Sequence, residues 1–343
     1  MAATGTSTNI YFTGRDLVEV HDEPLPKLQP HEVRIKARKT LISTGTEGIC
    51  LTRSFEPGTH WDQWVQYPFS PGYSLVGEIV ELGSDVATVD LGSRVAVRKP
   101  HHQYVTAGAE ALFPIPENVT DDDATFFALG KIVQNGVRRA EHVLGEQVVV
   151  VGLGLLGQLV VQYCRLMGAR DVIAIDLSAS RLELACKHGA TAGLQESVTD
   201  ALEEVMQLTA GRGADTVYDV TGSAKVLLQA LPLVKRFGTL VLLGDTGTPS
   251  EQRLSHRVVT QGLRIVGAHD SNPPPASSDH AFWDHQQMTQ LFFRYLARGD
   301  LKVADLISHR YRPQEAPQAY EMLQRDRLAA LGVLFDWEVL DGR

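Results

Sequence analysis

The chain has 343 residues, 43% hydrophobic and 21% charged, which suits a globular protein of two domains with separate cores. Its 32 basic against 41 acidic side chains leave a formal charge of −9, which argues against nucleic acid or an anionic membrane as partner. The opening MAATGTSTN lacks a secretion signal's basic-then-apolar layout, and no window approaches a membrane span. Three scattered cysteines (Cys50, Cys164, Cys186) supply neither a disulfide framework nor a cysteine zinc cluster, so the expected compartment is the cytoplasm.

Residues 10 to 120 predict a β-rich domain. Short alternating strands at Val33–Ala37, Ser74–Leu82 and Ser93–Val97 are separated by Pro-Gly, Gly-Ser and Leu-Pro turns. The period changes at Asp121-Asp122-Asp123, which offers N-cap and first-turn acids for a helix through the Phe126 region. From there strands and helices alternate. Strands are expected at Val148–Val151, Val172–Ile175, Thr216–Val220, Thr239–Leu243 and Leu263–Ala268, the pattern of βαβ units around a parallel sheet. Asn272-Pro273-Pro274-Pro275 continues neither helix nor central strand. A polar helix then runs to about Arg298, followed by a strand at Leu306–Tyr311, a helix near Glu315–Leu323 and a last strand at Leu331–Trp337.

The most informative stretch is VVVVGLGLLGQLVVQYCRLMGARDVIAID, residues 148–176. Four valines predict a strand buried on both faces. Gly152, Gly154 and Gly157 follow in G-x-G-x-x-G spacing, and Asp176 ends the next strand about 20 residues on, as the dinucleotide fingerprint requires. The phosphates of a dinucleotide would sit on free N–H groups at the helix N-terminus, at Leu155 and Leu156. Asp176 would accept from the adenosine ribose hydroxyls and repel a 2′-phosphate, which favours NAD over NADP. Arg181 complicates this reading, since an arginine nearby can accommodate such a phosphate; with Asp176 in place it is expected to flank the adenine or to be solvated.

The order of β-rich domain, nucleotide domain and short return resembles the medium-chain dehydrogenase/reductase superfamily. Pro71-Gly72-Tyr73-Ser74-Leu75-Val76-Gly77-Glu78-Ile79-Val80 stands where that family has PGHExxGxV. Leu91-Gly92-Ser93-Arg94-Val95 matches its GDRV strand, and Thr221-Gly222, Leu243-Gly244 and Leu306–Tyr311 match later landmarks. The resemblance implies an α/β protein in which a GroES-like catalytic domain (1–124 and 275–343) clamps a Rossmann domain (125–274). It also implies cofactor contacts at Thr221 and Gly244, and a small-molecule substrate in the cleft. Pairing of an edge strand near Leu263–Val266 implies a homodimer.

The departures from the family are more informative. Zinc-dependent members hold zinc with a Cys, the His-Glu of PGHE and a third Cys or Glu. Those positions are Thr44, Tyr73-Ser74 and the Phe127-Ala128-Leu129 region, which offer no tetrahedral set of N, S or carboxylate donors. The four-cysteine structural lobe is missing too, so no metal is expected. Another group must then handle the substrate oxygen and its proton. Thr46 is expected to relay protons, unless it merely caps a turn. Tyr73 takes the place of the zinc-ligand histidine, unless it merely packs. Lys131 lies among Phe126, Phe127, Leu129, Ile132 and Val133, either snorkelling to solvent or desolvated and functional. A coupled Tyr73–Lys131 pair would let the phenol act as base. Trp61 to Phe69 offers aromatic rings that line a pocket or simply pack, while His269, His280 and His285, with Trp283, fit no metal template and are expected at the surface.

The leading reading is an NAD-dependent, zinc-independent dehydrogenase of a secondary alcohol, the substrate a sugar-, cyclitol- or polycycle-like metabolite. A zinc-free enoyl or quinone reductase, adding hydride to an activated C=C bond, is one alternative. A catalytically silent NAD-binding sensor is another.

Overall fold

The computed structural model describes residues 5–340. Its centre is a six-stranded sheet, every pairing of which is parallel. Across the sheet the strands run Ala192–Leu194, Asp171–Ile175, Gln147–Val151, Ala214–Asp219, Val234–Leu242 and Arg264–Gly267. In chain order this is 3-2-1-4-5-6, the doubly wound arrangement of a Rossmann domain, with its crevice where the order reverses. The valine run is buried on both faces as expected. Val148 and Val150 join one apolar cluster, while Val149 and Val151 join another on the opposite face.

The second unit is a seven-stranded sheet. Its path is Ile307–Tyr311, Gly332–Asp336, Glu32–Leu41, Leu75–Leu82, Arg94–Val97 and Phe113–Pro114, with Tyr104–Gly108 also paired to Glu32–Leu41. The chain's last strand thus lies against its third, Leu334 opposite Leu41, so the C-terminal segment completes the domain that the N-terminal segment begins. A hairpin, Thr6–Gly14 with Leu17–Pro24, lies outside both larger sheets and escaped the sequence reading. Its outer strand alternates but buries little, which leaves a weak hydrophobic signal.

Three helices position the cleft. Thr44–Thr52 follows the Glu32–Leu41 strand, and His60–Trp64 is capped by the Thr59 hydroxyl, which accepts the Asp62 N–H. Phe127–Ala140 packs under helix His285–Arg298. The contact is close: a Cβ on Gly130 would lie 2.3 Å from the Phe292 ring. Only glycine permits that approach, and it draws the neighbouring Lys131 inside.

Candidate active site between two domains

The nucleotide crevice opens where the parallel order reverses, between the turn after Gln147–Val151 and the turn after Ala214–Asp219. Gly152 has φ +89°, and a Cβ there would press on the Thr221 methyl at 2.9 Å. A Cβ on Gly157 would lie 2.0 Å from the Gly152 carbonyl oxygen, so the third glycine is needed for the helix to meet the strand turn. Gly154 is the N-cap of helix Leu155–Leu166, and a Cβ there would meet nothing within 4 Å. That open space faces the free N–H groups of the first helical turn. A Cβ on Gly244 would meet the Gly222 N at 2.5 Å. Leu156, Thr221, Gly222 and Gly244 all line one cleft of about 460 Å³.

Asp176 is more committed than the sequence implied. Its Oδ2 accepts the Leu153 N–H at 2.6 Å, and its Oδ1 accepts the Ser178 N–H at 2.8 Å. The carboxylate therefore holds the fingerprint turn in shape and retains lone pairs for a ribose. Arg181 is half-buried rather than standing in solvent. Its guanidinium donates to the carbonyls of Arg327 and, at 2.8 Å, Ala330, tying the C-terminal segment to the Rossmann domain. Burial lowers its pKa, against the pull of Asp176. Arg327, which the sequence reading passed over, lines the cleft, its guanidinium 3.7 Å from where a Gly45 Cβ would stand.

The opposite wall carries Thr46 and Tyr73. Tyr73 donates to Ser43 Oγ at 2.6 Å. Burial raises its pKa, and hydrogen bonding from Ser43 and Thr46 only partly offsets the rise. The phenol is therefore a neutral O–H donor at physiological pH. Beneath it lies a network that sequence reasoning missed. Glu47, 1% exposed, accepts the Ser43 N–H at 2.7 Å, the Tyr320 hydroxyl at 2.5 Å and a contact from His101 Nε2 at 3.1 Å. His101 Nδ1 meets Thr40 Oγ1 at 2.8 Å, and Trp337 Nε1 donates to the same oxygen at 3.0 Å. A Cβ on Gly72 would strike the His101 ring at 2.7 Å. This buried set fixes the backbone from Ser43 to Glu47 and so aims Thr46.

Lys131 is desolvated, 1% exposed, but the structure does not bring it to Tyr73. Its Nζ lies 3.0 Å from Asp270 Oδ1, and the charge felt by the Tyr73 hydroxyl comes from Glu47 and Arg98. Gly130 and Phe292 set the reason: they seat this helical turn against His285–Arg298, on the Asp270 side. The expectation of a Tyr73 phenolate held by Lys131 is corrected accordingly. Arg98, reached just after the Arg94–Val97 strand, pairs with Asp270 Oδ2 and lies 5.1 Å over the Tyr73 ring.

The family's zinc positions do not converge. Thr44 lines a separate cleft with Tyr320 and Leu323, Ala128 is enclosed in the core, and the Ser74 hydroxyl is buried without a partner. No tetrahedral donor set forms there. One other cluster lies at the mouth of the cleft. His60, Asp245 and His269 have ligand atoms within 4.8 Å of one another. All three are exposed, His60 Nε2 already meets Asp245 Oδ2 at 2.9 Å, and His269 Nδ1 is engaged by Ser271. His269 is thus at the cleft rather than on open surface, and His285 faces Lys131 and Asp270. His280 is exposed. Trp61 and Trp64 line the cleft, whereas Tyr67 donates to the carbonyl of Cys50 at 2.9 Å and packs with the GroES-like core.

Two family models match the chain: "alcohol dehydrogenase GroES-like domain" over residues 29–117 and "zinc-binding dehydrogenase" over residues 156–278. The chain is 28% identical over 325 residues to D-guloside 3-dehydrogenase of Escherichia coli K12, covering 89% of this chain and 91% of that one. Among solved structures, galactitol-1-phosphate dehydrogenase from Escherichia coli superposes with a TM-score of 0.81 at 20% identity, covering 96% of this chain and 99% of that one. A zinc-binding dehydrogenase from Sinorhizobium meliloti bound to NADP gives 0.78 at 21%, covering 97% and 99%. An Escherichia coli CFT073 alcohol dehydrogenase complexed with NADH gives 0.79 at 19%, covering 96% and 99%. Sheet order, glycine cradle, two-domain cleft and these likenesses agree: the chain belongs to the medium-chain dehydrogenase/reductase superfamily, oxidoreductases that join a GroES-like domain to a nicotinamide-nucleotide Rossmann domain.

Proposed function

We propose that this protein interconverts a secondary alcohol and its ketone by hydride transfer to and from NAD, without a catalytic metal. The observation that carries this reading is the cleft wall itself. Where zinc-dependent relatives place metal ligands, this chain places a hydroxyl cluster of Tyr73, Ser43 and Thr46, aimed by buried Glu47 and His101. The nicotinamide supplies the hydride acceptor. Gly152, Gly154, Gly157 and the N–H groups of Leu155 and Leu156 hold its phosphates, with Arg327 opposite and Thr221 and Gly244 shaping the crevice.

The neutral Tyr73 hydroxyl turns from Ser43 to donate to the substrate oxygen, where negative charge develops as hydride adds to the ketone and where it stands, in the reverse direction, once the alcohol has lost its proton. Thr46 accepts the substrate's proton and passes it toward bulk water. Trp61, Trp64 and Ile132 give the cleft an apolar wall, suited to the flat faces of a sugar-like ring. The named substrate of the guloside relative, a sugar derivative oxidised at a ring carbon, agrees with that chemistry. Spectrophotometric assays with panels of alditols, cyclitols, ketones and enones test the reading. NADH formed from a secondary alcohol is the expected result. Turnover confined to enones would favour an enoyl reductase, and nucleotide binding without turnover of any compound would favour a sensor.

NAD preference rests on Asp176, whose carboxylate would face a 2′-phosphate at the fingerprint turn. Asp176→Ala is expected to narrow the NAD/NADP ratio of kcat/KM about tenfold or more, the scale of an unfavourable charge contact. The same variant loses two backbone hydrogen bonds of the turn, so affinity for both cofactors falls while the ratio still moves. An unchanged ratio would remove Asp176 from the selectivity.

A homodimer is proposed through the Arg264–Gly267 strand, which ends the Rossmann sheet. Phe237 and Val259, 67% and 86% exposed, belong to the adjoining strand and helix and offer apolar area for a partner. Light scattering at micromolar concentration is expected to give twice the chain mass. A monomeric mass would rule this out. Among the described residues no helix is long and apolar enough to cross a membrane, and a cytoplasmic site of action is proposed.

A further inference from the structure

Beyond the hydroxyl cluster, one region of the cleft holds charge that the proposed chemistry does not use. Arg98 comes from the GroES-like sheet, Lys131 from helix Phe127–Ala140, Asp270 from the loop after Arg264–Gly267, and His285 from the start of helix His285–Arg298. Three atoms here are buried without a hydrogen-bond partner among the described residues: Lys131 Nζ, Asp270 Oδ1 and His285 Nδ1. Lys131 Nζ and Asp270 Oδ1 stand 3.0 Å apart as an ion pair. The ammonium thus has three N–H donors and a single carboxylate partner. A buried ammonium with unfilled donors is stabilised by a further anionic or carbonyl oxygen.

Charge counting gives the occupant its sign. Arg98 and Lys131 contribute two positive charges against one from Asp270. His285 is kept neutral by burial and by Lys131. Asp284 keeps its negative charge, but its oxygens accept the N–H groups of Ser277 and Gln287 at 2.8 Å each, and the charged neighbours of Lys131 and Asp270 are each other and Arg98, so the surplus positive charge belongs to that cluster. A site with excess positive charge, low water access and unfilled N–H donors is built for an anionic oxygen group. Its place is adjacent to the reaction: Arg98 and Asp270 line the same cleft as Thr46 and Tyr73, and the Arg98 guanidinium rests on the Tyr73 ring.

We propose that Arg98 and Lys131 form a subsite for an anionic group on the substrate, a carboxylate or a phosphate carried a few bonds from the carbon that loses hydride. Asp270 Oδ1 accepts from a neighbouring substrate hydroxyl and keeps the two cations from repelling each other when the subsite is empty. The substrate is then an acidic polyol derivative, a sugar acid or a sugar phosphate, rather than a neutral alditol. This inference rests on the alcohol-dehydrogenase reading for the word "substrate", but its binding test does not.

Calorimetry on the nicotinamide-loaded protein compares three probe sets of four to six carbons: aldonates, alditol phosphates and the matching neutral alditols. At least one anionic set is expected to bind tenfold or more tightly than its neutral counterpart, and which set does so distinguishes carboxylate from phosphate. Arg98→Gln and Lys131→Met are each expected to reduce that anion preference about tenfold. Asp270→Asn, which removes the competing carboxylate, is expected to increase it. These opposite signs separate recognition from a merely structural role, which would move all three variants together. No anion preference in the parent protein, or shifts of one sign in all three variants, would overturn the proposal. An intact preference with no NADH formed from any probe would instead defeat the alcohol-dehydrogenase reading and leave the subsite standing.

Discussion

Tyr73→Phe is expected to lower kcat by roughly 10²- to 10³-fold, the loss that follows removal of one hydrogen bond aimed at a developing oxyanion. The substitution keeps the ring that Arg98 covers and removes only the hydroxyl, so packing changes little. Ser43 Oγ loses its 2.6 Å partner. Nicotinamide affinity is expected to stay within about threefold. Because burial raises the phenol's pKa, its charged form is absent at ordinary pH. The kcat–pH profile of the parent is thus expected to show no limb from Tyr73 ionisation between pH 6 and 9. A rate within about threefold of the parent would make Tyr73 a packing residue, and a basic limb that disappears in the Phe variant would restore a phenolate mechanism.

The second large effect lies in the fingerprint turn. Gly157→Ala puts a Cβ 2.0 Å from the Gly152 carbonyl oxygen and 2.9 Å from its carbon. Both are backbone atoms and cannot swing away, so the helix must lift from the strand. Overpacking of this kind costs about 1–3 kcal/mol, and the phosphate cradle is the part displaced. Nicotinamide affinity is expected to fall about ten- to hundredfold, with a lower Tm. Gly154→Ala provides the contrast: its Cβ meets nothing within 4 Å and φ is −63°, so Tm is expected to hold while affinity drops, since only a bound pyrophosphate would occupy that space. Equal affinity for parent and Gly157→Ala, read by fluorescence titration with NADH, would remove the fingerprint turn from cofactor binding.

These two sites differ in how far the sequence revealed them. The glycine turn was legible because its constraints are local: a strand, a tight turn and a helix follow one another within about 30 residues, and spacing alone encodes them. The valine run was legible for the same reason, since burial on both faces leaves a continuous apolar signature. The proton apparatus was legible only in part. Thr46 and Tyr73 were found because they stand at positions the family uses, and they do share one wall of the cleft. Lys131 was marked as anomalous by its apolar neighbours, and it is desolvated as one of its two readings held. Its partner was not legible, because Asp270 lies 139 positions along the chain, in the loop after Arg264–Gly267. Glu47, His101 and Tyr320 form a network across 54 and 273 positions. The one local clue to that network was a carboxylate at Glu47 in an otherwise hydroxyl-rich and glycine-rich segment. Arg98 carried no signal, since an arginine just beyond a strand is most often solvated. Arg181 has partners that no local pattern announced, the carbonyls of Arg327 and Ala330 about 150 positions along the chain.

Hydride transfer in this cleft is proposed to need no metal. Three donors at the cleft mouth, His60, Asp245 and His269, are the rival, because an ion held there would border the same substrate space. The decisive measurement is elemental analysis by mass spectrometry of the purified protein, paired with NADH formation from an acidic polyol before and after exhaustive chelation. The expected result is well under a tenth of an equivalent of zinc per chain, with kcat unchanged by chelator and by added zinc. One zinc per chain, with activity lost on chelation, restored by zinc and abolished in His60→Ala, would contradict it.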